Sequence, residues 1–434
     1  MDKMADVLGR AGAWCGQNKY LSAIKNAFQN FMPLTIAGAI GVLWCNVLVN
    51  ETTGLGMFFK PIMALDFLNP AFQAVNFCTI SCITVGITLG IAQEIGVWNM
   101  GAERAGYIPG LVGLAAWLSV TNTSHMVDGA KEAFTGVAGN ELGATGLFTG
   151  MIIGVLSVEL FCFFEKQDAL KIKMPEQVPP GVARAFEVLV PATITLIITA
   201  CIGSACYNLT GLYLNDVIKN GVQGPLGAVG ATVPGVMIIY LVIMLFWLVG
   251  IHGNNMLSAV KEALFTPLAL ENVEKFNKGE KPTNIINMYA LQMWGEFGGS
   301  GVTIGLVIAI MIFGKREDNK AIASLSLVPG LFNINETVTF GIPMVLNPIL
   351  GIPFVFACLV TILVGYVLTV IGFCPVACLT VPWTTPPIVF GFLACGANVM
   401  GAVTQAILIV VSTVIYVPFL ISYEKYQNKQ AAEA

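Results

Sequence analysis

Apolar residues along this chain run in long uninterrupted stretches, and polar ones gather in the short segments between them. Phe28–Val49, Phe72–Ala92, Leu142–Phe164, Val188–Leu209, Ile349–Phe373 and Val399–Ser422 are each close to the length a bilayer demands of a spanning helix. Tyr107–Val120 with its flanks, Val233–Ile251 and Val302–Gly314 are shorter or interrupted but equally apolar. The pattern predicts an all-α polytopic membrane protein with about ten transmembrane helices.

Composition agrees. The 434 residues include 21 Lys plus Arg and 25 Asp plus Glu, so 11% are charged where soluble domains carry about 25%. Hydrophobic residues make up 56%, and the mean hydropathy is +0.79. A soluble chain of that make-up would expose aggregating apolar patches. The net charge of -4 and the lack of a basic run exclude nucleic acid as a partner. Most of the 11 Cys lie inside apolar stretches, where thiols act as small hydrophobes. Cys374 and Cys378 lack further ligands at metal spacing, and two His exclude a His-rich centre. Neither a metal nor a cofactor is expected.

Basic residues orient the spans. Lys3, Arg10, Lys19 and Lys25 precede the first span, Lys166, Lys171, Lys173 and Arg184 cluster after the fourth, and Lys425 and Lys429 follow the last. Both termini are therefore expected in the cytoplasm, and the mixed polar N-terminus reads as a cytoplasmic helix rather than a cleavable signal. The second half resists this count. Basic clusters at Lys275–Lys281 and Lys315–Lys320 flank one obvious span, so residues 285–301 either cross or dip in and return. Helix breakers concentrate there too, at Gly250–Asn255, Pro329–Glu336, Pro343–Pro348 and Pro382–Pro387. Broken helices of this kind often mark a transport site. The Gly-rich stretch Asn208–Pro234 reads as the join between two domains, 1–212 and 213–434. The tail Gln427–Ala434 is expected to be disordered.

Isolated ionisable residues in the apolar second half are the candidate chemistry. Between Ala321 and Tyr423 the only Asp, Glu, Lys, Arg or His is Glu336, flanked by Asn333 and Asn335 after the break at Pro329–Gly330. A carboxylate at bilayer depth costs about 2.5–3.5 kcal/mol and is usually functional. The alternative is a structural carboxylate that caps a helix or pairs across an interface. His252, with Gly253, Asn254 and Asn255 beside it, is the only such residue from Asn220 to Val260; it is either a sugar ligand or a satisfied histidine at a helix end. Glu296 stands in Trp294-Gly-Glu-Phe-Gly-Gly-Ser-Gly-Val-Thr303, a glycine-rich segment that includes Ser300. It fits a binding site and an interfacial position equally. Trp383, in Val381-Pro-Trp-Thr-Thr-Pro-Pro387, is placed either to stack on a sugar ring or to anchor at the headgroups. His125 reads as solvent-exposed and has no assigned role.

At Asn333-Ile-Asn-Glu-Thr-Val-Thr-Phe-Gly-Ile-Pro-Met-Val-Leu-Asn-Pro348 the chain resembles the IIC membrane component of bacterial phosphotransferase-system (PTS) sugar transporters, lactose/cellobiose/diacetylchitobiose family. Gly250-Ile-His-Gly253, Gly298-Gly-Ser-Gly-Val-Thr303, Lys19-Tyr-Leu-Ser-Ala-Ile-Lys25 and Phe31-Met-Pro-Leu-Thr35 extend the likeness over essentially the full length. Thr337 departs from it, since family members commonly have Pro after the glutamate. The resemblance implies a homodimer in the bacterial inner membrane, with an N-terminal dimerisation half. It implies a C-terminal sugar-binding half with two re-entrant hairpins that moves as a rigid body. The substrate would be a β-linked disaccharide such as cellobiose, diacetylchitobiose or lactose. His252, Asn254, Glu296, Ser300, Asn333, Asn335, Glu336 and Trp383 would line its site. Glu336 or His252 would serve as the base when phosphorylated IIB, charged through IIA, HPr and enzyme I, transfers its phosphoryl group. Two rivals fit the residues less well: a proton-coupled secondary sugar transporter using Glu336, and a membrane enzyme acting on a lipid-linked substrate.

Overall fold

Long apolar helices carry most of the chain in the computed structural model, as the hydropathy pattern requires. The structure describes all residues except 1–9, 11–13, 15–16, 52–54, 126–133, 176, 226–229, 343, 346 and 434. Among the described residues, five helices are long and apolar enough to span a bilayer, or up to seven if each of two bent helix pairs counts as one span. Ile108–Val120 and Val233–Leu248 are shorter apolar helices. Among the described residues the one sheet is a pair of two-residue antiparallel strands, Ser124–His125 with Phe134–Thr135. His125 is not the free surface residue expected. Its ring packs on Phe134 with centroids 5.6 Å apart, and its Nε2 is buried.

The chain divides into two compact units, residues 17–38 with 74–228, and residues 39–73 with 229–434. In the first unit lie most of α1 (Lys19–Leu43), α2 (Ile83–Met100), α3 (Ile108–Val120), α4 (Ala144–Glu165) and α5 (Pro180–Thr210). The core of this unit is built on Ile87, Ile91, Ile95, Ala116, Trp117, Leu147 and Phe161, all fully buried. Small residues let the helices approach. A Cβ on Gly113 would meet the Ala92 Cβ at 2.3 Å, and one on Gly150 would meet the Thr88 hydroxyl at 2.2 Å.

Charge in this unit collects where α4 ends. The buried Glu165 carboxylate accepts from Arg104 at 2.8 Å and from Arg184 at 2.8 Å, and both arginines also reach Glu187. With Glu165 made an amide, Glu187 alone faces two guanidinium groups. Breaking a fully buried pair costs roughly 3–5 kcal/mol. Arg104 is half exposed, so Glu165→Gln is expected to cost about 2 kcal/mol. Thermal unfolding in detergent measures this as a lowered melting temperature, and an unchanged one would count against a structural role.

The second unit contains α6 (Val233–Leu248), α7 (Gly253–Met256), α8 (Ser258–Asn277), α9 (Met288–Gly295), α10 (Ile304–Phe313), α11 (Glu317–Leu331), α12 (Glu336–Gly341), α13 (Gly351–Val370), α14 (Val389–Ala394) and α15 (Val399–Glu433). Helix α15 runs on to Glu433, so residues 427–433 are not the disordered tail expected. Charged side chains space out there, and Lys429 and Glu433 lie 3.8 Å apart one turn on.

The helix interruptions fall at 249–257, 296–303, 332–335 and 371–388. The helical stretch Met288–Val302 and α10 meet at 59°. Backbone there turns left-handed at Gly298, Gly299, Gly301 and Val302. The expected break at Pro343–Pro348 includes positions 343 and 346, outside the described residues. Non-helical backbone survives away from water only if protein groups satisfy it. Buried amides do so here. Asn272 donates to the carbonyls of Asn284 (2.9 Å) and Ala377 (3.0 Å) and accepts from the Thr283 and Asn284 N–H groups. Asn287 caps α9 and also donates to Ala377. Gln405, in the second turn of α15, accepts from the N–H groups of Ile388 (2.8 Å) and Gly391 (2.7 Å) and donates to the Met293 carbonyl at 3.2 Å. That amide holds Ile388 at a φ of +77°, a region a β-branched residue seldom enters.

Candidate functional site

Four chain breaks meet through side chains the sequence singled out. His252 is the N-cap of α7, where its Nδ1 accepts the Asn255 N–H at 3.2 Å. An Nδ1 engaged as acceptor leaves the ring proton of a neutral imidazole on Nε2. Nε2 faces Glu336 Oε1 at 3.9 Å. The Trp247 ring packs against the imidazole with centroids 4.5 Å apart and fixes its plane. Glu336 begins α12, with Thr337 following in its first turn, so the helix starts without a proline. The His252 and Glu336 side chains are 38% and 46% exposed, open enough to meet a solute.

The neighbouring amides have other work. Asn254 donates to Ser300 Oγ at 3.0 Å, which ties the 249–257 break to the 296–303 break. Its Oδ1 is buried and has no hydrogen-bond partner among the described residues. Asn335 is buried and donates to the Ser300 carbonyl (2.9 Å) and to Thr339 Oγ1 (3.2 Å). Asn333, at a φ of +63°, accepts the Gly298 N–H at 2.6 Å and donates to the carbonyls of Trp383 and Thr385. Its amide therefore spans three breaks, and every strong hydrogen-bonding direction it uses ends on backbone. The Trp383 indole itself is exposed.

Glu296 bonds to partners other than the His252–Glu336 pair. It follows α9 directly, accepts from Lys261 Nζ, and accepts from Tyr240 OH at 2.7 Å. Lys261, Tyr240, Gln405, Asn272 and Asn287 escaped sequence reasoning. Gln405 carried a usable signal, a lone amide in the apolar run Val399–Ser422. A search for ionisable residues alone passes over it.

Among the described residues no group of three or more His, Cys, Asp or Glu is placed to hold a metal ion. The site can instead grip an uncharged polyhydroxyl solute. The pair offers a carboxylate acceptor beside an imidazole donor, and the exposed Trp383 indole belongs to a loop that the Asn333 amide holds by its backbone.

Known proteins resemble this chain over most of its length. The family description "Phosphotransferase system, EIIC" matches residues 25–358. The oligo-beta-mannoside-specific EIIC component of Bacillus subtilis is 32% identical over 98% of this chain and 94% of its own. The lactose-specific EIICB component of Staphylococcus aureus is 31% identical over 94% of this chain and 69% of its own. The crystal structure of ChbC, the IIC component from the N,N'-diacetylchitobiose-specific phosphotransferase system, superposes with a TM-score of 0.88. It is 29% identical, and 97% of each chain is covered.

Proposed function

This chain belongs to the phosphotransferase-system EIIC family, and on that premise we propose that it imports a β-linked disaccharide and presents it to a phosphorylated IIB protein. Cellobiose, diacetylchitobiose and lactose define the substrate class: the last two are sugars its relatives are named for, and cellobiose shares their β linkage and lack of charge. The observation that carries the reading is the gap of 3.9 Å between His252 Nε2 and Glu336 Oε1. That gap is too long for a direct hydrogen bond. A hydroxyl oxygen can stand about 2.8 Å from both atoms, donating to the carboxylate and accepting from Nε2–H.

In this account the sugar's primary hydroxyl, held there, attacks the phosphorus of the IIB phosphocysteine. The new O–P bond forms as the S–P bond breaks, the thiolate leaves on IIB, and the hydroxyl proton passes to Glu336, the acceptor it already faces, as general base, while His252 Nε2–H holds the oxygen. Phosphosugar is anionic and does not return across the bilayer, which makes import one-way. The family's EIICB members carry this unit within a longer chain, which supports IIB as the partner. IIA, HPr and enzyme I would supply it upstream. We place about ten crossings with two re-entrant hairpins in a homodimer, both termini cytoplasmic. Residues 1–212 would serve dimerisation, and residues 213–434 would carry the sugar by rigid-body alternating access.

Trp383 supplies the stacking face. Trp383→Ala is expected to weaken sugar binding roughly tenfold, with Trp383→Phe retaining part of the affinity. Equilibrium binding of labelled cellobiose to the purified protein measures this; equal affinities for all three would make the indole a headgroup anchor instead.

The reading as a whole is tested by supplying the purified chain with phosphorylated IIB and labelled cellobiose, diacetylchitobiose or lactose. Phosphosugar should form from at least one, and only with a IIB that retains its cysteine. Formation with a cysteine-free IIB, or from none of the sugars, would defeat it.

A further inference from the structure

The connection that carries His252 joins α6 to α8. The last apolar helix before it contributes Tyr240, and the first turn after it contributes Lys261. Both side chains end on the same atom. Tyr240 OH donates to Glu296 Oε1 at 2.7 Å, and Lys261 Nζ donates to that oxygen as well. The trio is withdrawn from solvent: Tyr240 is fully buried, and the Lys261 and Glu296 side chains are 7% and 16% exposed. Lys261 Nζ also lies 5.6 Å from the centre of the Tyr240 ring. Just beyond Glu296, Ser300 accepts from Asn254, which lies inside the same connection. The His252 segment is thus fastened before, within and after the histidine to one stretch of chain, 296–300.

We infer that Lys261, Glu296 and Tyr240 form a positioning clamp that sets where His252 stands relative to Glu336, and that Glu296 does not touch the sugar. This rests on the reading proposed above. Charge explains the choice of residues. A buried ammonium needs a full counter-charge, which a carboxylate provides and an amide does not. One carboxylate oxygen accepting from two donors also brings α6 and α8 to a common point, which fixes the span the connection must bridge. Losing either charge leaves the other buried and unpaired, and the structure would relax by moving one of the helices that flank His252. Removing both charges removes the unpaired ion, and the neighbouring Glu262 keeps its own donor, the Thr266 hydroxyl.

The test compares wild type, Lys261→Met, Glu296→Gln and the double variant Lys261→Met/Glu296→Gln, all as full-length purified protein. Each is measured for cellobiose binding, for the rate of phosphosugar formation with phosphorylated IIB at saturating sugar, and for thermal unfolding as a folding control. Each single variant should lose roughly tenfold or more in phosphorylation rate at saturating sugar. Its sugar affinity should change by no more than about threefold. The double variant should recover most of the rate, because the unpaired charge is gone. If Glu296 touches the sugar, Glu296→Gln and the double variant will share the same loss of affinity and no rescue will appear, which overturns the clamp. Wild-type rates in all four proteins would overturn it too. Failure of wild type itself to make phosphosugar would instead fall on the proposed function.

Discussion

Glu336→Gln is expected to lower phosphosugar formation by roughly 10²–10⁴-fold while sugar binding stays within a few-fold of wild type. The amide keeps the shape of the carboxylate and can still bond a hydroxyl, so the ground-state complex persists. It cannot take a proton, so the step in which the hydroxyl becomes a nucleophile loses its base. His252→Asn is the informative partner. Asn is a good N-cap and would keep the acceptor that receives the Asn255 N–H, while the Nε2 facing Glu336 disappears. A larger rate loss in Glu336→Gln than in His252→Asn assigns the base to Glu336, and the reverse order assigns it to a His252 whose Nε2 is unprotonated, against the hydrogen bond at Nδ1. Single-turnover phosphorylation with labelled sugar, alongside equilibrium binding, separates the two effects. Unchanged phosphorylation in Glu336→Gln would remove the carboxylate from the chemistry.

Asn333→Ala should be the most disruptive change in the second unit that removes no charge. Three backbone groups lose their partner at once: the Gly298 N–H and the carbonyls of Trp383 and Thr385. Alanine is also strained at a φ of +63°, which asparagine tolerates. Partial solvent access limits the damage, so a loss of roughly 2–3 kcal/mol is expected. It should appear as a lower melting temperature together with weakened sugar binding, because the loop that carries Trp383 is released. Asn333→Asp keeps the acceptor for Gly298 and loses the two donations, and it should fall between wild type and alanine. A pure sugar ligand would behave differently: affinity would fall with no change in melting temperature.

That contrast shows what the sequence could and could not disclose. Isolation of Glu336 and His252 in apolar stretches was enough to nominate them, because ionisable groups at bilayer depth need a reason to be there. Their approach to 3.9 Å, from either side of two helix breaks, is a long-range fact that no local pattern contains. Asn333 and Asn335 were legible as hydrogen-bonding capacity, but the sequence does not say who uses it. Most of that capacity goes to backbone at the neighbouring breaks, which is what unpaired peptide groups away from water demand. Glu296 was ambiguous for the same reason. Its partner Lys261 lies just past the charge-free stretch that drew attention to His252, and Tyr240 looked like one more aromatic in an apolar helix. The helix interruptions were better foretold, since Gly and Pro mark them directly, and the bend at 296–303 lies within the glycine-rich segment already noted. The helical tail to Glu433 was missed because polar composition alone does not forbid a helix that continues an apolar one.

The central claim is that sugar crosses the membrane to be phosphorylated rather than released. The most direct measurement is the chemical state of labelled cellobiose taken up by cells that express this chain, with and without the phosphocysteine-bearing IIB. Phosphorylated label inside, lost when IIB is deleted, is the result this account predicts. Free cellobiose inside, accumulated to the same level without IIB and collapsing with the proton gradient, would contradict it and make Glu336 a proton-coupling site.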